Sequence, residues 1–151
     1  MSYSAPLEML ADASGSVTFG WADEGVYYAR FSRCLSAKLG EAFVARLGAA
    51  VEESTLKYFA DGRALESYDL LARSAFVRVV TQHRGKFAEL HLLSWAGGEI
   101  NPAFVSALGE PLAIAKDAIE FEARLLASAP RARIKLGAKP DSPRVRWGLR
   151  R

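Results

Sequence analysis

The spacing of apolar and polar positions changes along this chain, and the changes mark out its elements. Residues 16–22 and 25–33 are rich in Val, Tyr and Phe, and Asp23-Glu24-Gly25 between them is a turn signal, so the pair predicts a β-hairpin. In the second run Val26, Tyr28 and Arg30 fall on one face, and Tyr27, Ala29 and Phe31 on the other. Ser36 then opens a helix as its N-cap. Leu39, Phe43, Leu47 and Val51 recur every fourth residue and Val44 widens the stripe, which predicts one surface helix ending near Glu53. Residues 55–60 (TLKYFA) read as a short strand that Asp61-Gly62 stops. Over residues 68–83 the helical period returns. Ser67 is placed as its cap, and Leu71, Ala75 and Val79 with Ala72, Phe76 and Val80 form its apolar stripe. Residues 89–95 (ELHLLSW) are nearly all apolar, as in a strand covered on both faces, and Ala96-Gly97-Gly98 breaks the run. Asn101-Pro102 starts a third helix reaching about Leu108, with proline at its first position. Residues 111–115 suit a short edge strand, and residues 116–128 a last helix that Pro130 ends.

The resulting order, β-β-α-β-α-β-α-(β)-α, defines an α/β fold: a mixed β-sheet with helices packed against it. Residues 1–15 read as a loose, aperiodic leader, residues 16–129 as the α/β domain and residues 130–151 as a basic tail. At 151 residues, 50% of them hydrophobic and 25% charged, the chain fits one ordinary globular domain. The single cysteine, Cys34, can form no internal disulfide, which suits a reducing compartment. The N-terminus has no basic start followed by an apolar run, and no apolar stretch reaches the length of a membrane span. The expected location is the cytoplasm.

Charge is distributed unevenly. The segment from Arg131 onward holds Arg131, Arg133, Lys135, Lys139, Arg144, Arg146, Arg150 and Arg151 against Asp141 alone, a net of +7. Since the whole chain carries +3, residues 1–130 carry −4. Basic residues alternate with apolar ones in the tail, and Trp147 stands beside Arg146. Such a segment suits an extended strip laid on a surface: the acidic body, a protein partner, a second copy of the chain or anionic lipid. Nucleic acid is the alternative partner, through backbone charge and base stacking on Trp147.

Chemistry-bearing groups are sparse. His83 falls at a helix end and His91 in the most apolar strand, and both read as structural. Two histidines and one cysteine without ligand spacing give no metal site. The sequence contains no phosphate-binding glycine loop, so no nucleotide cofactor is expected. Catalysis is therefore not expected. The informative segment is residues 57–69 (KYFADGRALESYD), where a strand ends, a loop follows and a helix begins. Polar groups at the carboxyl end of a central strand form the usual contact edge of an α/β sheet. Asp61, Arg63, Ser67, Tyr68 and Asp69 are the candidate partner-binding residues.

This segment, with the order of elements over residues 16–128, resembles the STAS family of anti-sigma-factor-antagonist-like domains. In that family a strand ends in Asp and a short loop leads to Asp-Ser-[Ser/Thr]-Gly at a helix start. Here Asp61 ends the strand, Leu65 takes the apolar loop position and Glu66-Ser67-Tyr68-Asp69 takes the helix start. Tyr68 stands where a small residue is usual, and the glycine is absent. The resemblance implies a non-enzymatic, regulatory protein-interaction module of bacterial type, with Ser67 in the place of the phosphoacceptor serine.

Overall fold

The computed structural model describes residues 7–94, 102–109 and 111–132. They form β1 (Glu8–Ala11), β2 (Gly15–Asp23), β3 (Val26–Leu35), α1 (Ala37–Glu53), β4 (Leu56–Tyr68), α2 (Leu70–Gln82), β5 (Phe87–Leu93), α3 (Pro102–Leu108), β6 (Leu112–Ala115) and α4 (Ala118–Ser128). The six strands lie side by side in chain order. β1, β2 and β3 pair antiparallel, and β3 to β6 pair parallel. The expected mixed α/β sheet is therefore present.

Each parallel step moves one strand along the sheet in the same direction. Crossovers of one hand then place α1, α2 and α3 on one face. The core confirms it. Tyr27, Ala29 and Phe31 of β3 join the cluster under α1 and α2, while Val26 and Tyr28 join the cluster under α4. That is the alternation read from the sequence. In α1 the stripe Leu39, Phe43, Leu47 and Val51 is buried, and Phe43 packs edge-on against Phe19 and Phe31, each with ring centroids 5.4 Å apart. Ser36 caps α1 by accepting from the Leu39 N–H at 3.1 Å. On the opposite face, α4 buries Phe121 and Leu125. Asp117 caps it, and Glu120 accepts in return from the Lys116 N–H at 2.7 Å.

Four expectations are corrected. Residues 1–15 were expected to be loose, yet Glu8–Ala11 form edge strand β1, in register from Glu8↔Phe19 to Ala11↔Ser16. Its side chains are mostly exposed, so backbone pairing to β2 holds it and no apolar alternation announces it. Second, Asp61-Gly62 does not stop β4. β3 continues as its partner to Leu35↔Tyr68, so residues 62–68 remain strand. Gly62 serves close approach: a Cβ there would lie 2.6 Å from the Leu93 carbonyl oxygen. Third, Ser67 is not the cap of α2. It lies within β4 opposite Cys34, and Asp69 caps the helix by accepting from the Leu71 N–H at 2.8 Å. Fourth, Leu71 was placed in the apolar stripe of α2 but is 62% exposed, because a helix starting at Leu70 turns it outward.

The cap assignment yields a direct expectation. Asp69→Ala should cost about 1 kcal/mol of stability, and Ser67→Ala less than about 0.5 kcal/mol, by urea unfolding. Equal losses from the two substitutions would contradict the assignment.

Candidate functional site

The five candidate residues separate into two groups. Asp61 lies inside the protein, 2% exposed. It accepts from the Tyr28 hydroxyl at 3.2 Å and from the Arg63 backbone N–H at 3.1 Å. The Arg63 Nε reaches both its oxygens at 3.1 Å, and Nη2 lies 3.0 Å from Oδ2. The same Nη2 lies 2.8 Å from Glu122 Oε2 on α4. Burial opposes the charge on Arg63, but Asp61 and Glu122 more than offset it and hold the guanidinium above its ordinary range. Burial, then the Asp61 charge, pushes the Tyr28 hydroxyl far up, so it stays a neutral donor. Asp61 and Arg63 thus join the sheet to α4.

Ser67, Tyr68 and Asp69 form the second group, at the carboxyl end of β4. Ser67 and Asp69 are exposed and Tyr68 is half-buried. Sequence reasoning missed two residues there: Leu70 and Leu71 are 63% and 62% exposed at the first turn of α2. The readable signal was a helix cap followed by two leucines, which cannot both face the core in that turn.

Beneath this edge lies a mainly apolar cavity of about 140 Å³. It opens between α1 and α2 where β3, β4 and β5 end, with Phe43 and Val44 from α1, Leu65 from β4, Phe76 from α2 and Phe104 from α3 in its wall. Among the described residues, Arg73 is its one charged lining residue. No hydrogen bond or ion pair engages its guanidinium among the described residues.

Elsewhere, His91 stacks on Phe59 at 4.2 Å, with rings 4° from parallel. Its Nε2 lies 2.6 Å from Glu89 Oε1, and that hydrogen bond lowers the Glu89 carboxyl below its usual range. The buried His91 Nδ1 has no hydrogen-bond partner among the described residues. No group of His, Cys, Asp and Glu suited to a metal ion occurs among the described residues. No helix among them is long and apolar enough to cross a membrane.

Arg131, expected in the tail strip, belongs to the body. Its backbone N–H donates to Asp23 Oδ2 at 2.9 Å, its Nε to Oδ1 at 3.0 Å, and Nη2 lies 2.7 Å from Oδ1. The backbone bond first, then the guanidinium, holds the Asp23 carboxyl below its usual range. Arg133, Lys135, Arg144, Arg146, Trp147 and Arg150 lie outside the described residues, as do Trp95 and Gly97-Gly98.

No family model matches the chain, and no curated protein matches it. Among solved structures it is similar to an uncharacterised protein of the DUF3478 family with a SpoIIAA-like fold, from Shewanella loihica PV-4. The TM-score is 0.53 at 13% identity, covering 77% of this chain and 98% of that one. A likeness to the Pseudomonas malonate decarboxylase MdcD-MdcE hetero-dimer has a TM-score of 0.44 at 13% identity, over 91% of this chain and 84% of that one. The first likeness shows the fold to be SpoIIAA-like, that is, STAS-like, as the resemblance read from the sequence implied. The second carries no argument at its TM-score.

Proposed function

We propose that the chain is a non-enzymatic docking module of a regulatory system, and that it docks through the edge formed by Ser67, Tyr68, Asp69, Leu70 and Leu71. The observation that carries this reading is the pair of exposed leucines at the carboxyl end of the sheet. Large apolar side chains set side by side among polar ones are a mark of interaction surfaces. Exposed Glu66 and Asp69 precede the pair, so the fitting partner is a protein surface with an apolar centre and basic groups beside it. The SpoIIAA-like fold supports the reading as a fold that accommodates such a module. A phosphate on exposed Ser67 would add about −1.5 to −2 charges beside the leucines and change that match.

The test compares the full chain with Leu70→Ser and Leu71→Ser. The partner is captured from native cells, identified by mass spectrometry and titrated in purified form. Each change should weaken binding by about tenfold and shift stability by less than about 0.5 kcal/mol. Undiminished affinity in both variants rejects the docking edge.

A further inference from the structure

We propose that the cavity between α1 and α2 binds a small monocarboxylic acid, its apolar body in the cavity and its carboxylate on Arg73. The location comes first. The cavity opens at the carboxyl ends of parallel strands β3, β4 and β5, where α/β sheets place their ligands. Size comes second. At about 140 Å³ it approaches an apolar cavity that accepts benzene, roughly 150 Å³, so the body has about six carbons.

Lining and charge set the rest. Phe43, Val44, Tyr58, Leu65 and Phe76 offer aromatic and aliphatic surface and little to hydrogen-bond, which excludes sugars and other polyols. Arg73 adds a single cation to this wall, half-buried and unengaged among the described residues. The carboxylate one turn before it on α2, Asp69, accepts from the Leu71 N–H instead. A planar guanidinium beside an apolar hole matches a carboxylate in charge and in shape. One arginine matches one negative charge, hence a monocarboxylate.

The cavity shares Tyr68 with the docking edge but neither of its leucines, so Leu70→Ser should leave acid binding intact. Hexanoate and phenylacetate are titrated calorimetrically into the full chain, with 1-hexanol as the uncharged control. At least one acid should bind saturably at one per chain and more tightly than 1-hexanol. Arg73→Met should weaken acid binding by about tenfold, one charge-assisted contact, and leave 1-hexanol unchanged. Ala60→Leu, which fills the cavity from β4, should abolish binding of all three while circular dichroism still shows a cooperative melt. If that variant fails to fold, Arg73→Met decides alone. Neither acid binding saturably, no preference for acid over 1-hexanol, or acid binding unchanged by Arg73→Met overturns the proposal.

Discussion

Asp61→Ala is expected to lower the unfolding free energy by about 3 kcal/mol or more, although position 61 first reads as part of a contact edge. The carboxylate is 2% exposed and accepts from the Tyr28 hydroxyl, the Arg63 backbone and the Arg63 guanidinium. Alanine leaves all three donors facing a hole, and the half-buried cation keeps Glu122 as its acid. Breaking such a pair costs far more than replacing both members, because one charge stays in a poorly solvated place. The double change Asp61→Ala/Arg63→Met should therefore lose less than the sum of the single changes. Urea unfolding of the four proteins gives the coupling. A loss below about 1 kcal/mol for Asp61→Ala would show that water replaces the carboxylate at little cost.

A second large loss is expected at Phe43→Ala, about 4 kcal/mol. Phe43 is 2% exposed, and its ring meets Phe19 of β2, Phe31 of β3 and Tyr58 of β4, the last at 6.4 Å. It thus ties α1 to three neighbouring strands. It also forms part of the cavity wall, so its loss enlarges a space that already exists. Surrounding side chains cannot close over such a gap, which puts the cost at the upper end for a buried aromatic. Phe43→Leu keeps most of the volume and should cost less than half as much. Equal losses for the two would place the effect in the unfolded chain.

The elements held by side-chain burial were legible in the sequence, and those held by backbone pairing were not. The every-fourth-residue stripe from Leu39 to Val51 and the Ser36 cap gave α1 its observed bounds, Ala37–Glu53. The alternation from Val26 to Phe31 gave both faces of β3. β1 carries no such signal, because its four residues add hydrogen bonds to β2 with little burial. The continuation of β4 was hidden for a related reason. Asp61-Gly62 is a turn pair in isolation, but β3 supplies a partner strand for seven further residues of backbone, and the Leu93 carbonyl demands a glycine. Asp61 and Arg63 were misplaced as a consequence: two residues apart on one strand, they share a face and meet under α4. Leu71 was lost to the stripe because the cap was placed at Ser67, two residues before Asp69.

The clasp between Arg131 and Asp23 gives the molecule two poles. Asp23 ends β2 beside the turn through Gly25, and the Gly25 carbonyl accepts from the Lys57 N–H at the start of β4. Arg131, just beyond α4, is therefore fastened at the amino end of the parallel strands, while Ser67, Leu70 and Leu71 stand at their carboxyl end. β4 has 13 residues, so the poles lie on the order of 40 Å apart. Anything that grips the molecule at the Asp23–Arg131 clasp holds it as a hand holds a torch, with the leucine pole pointing away and free to meet something else.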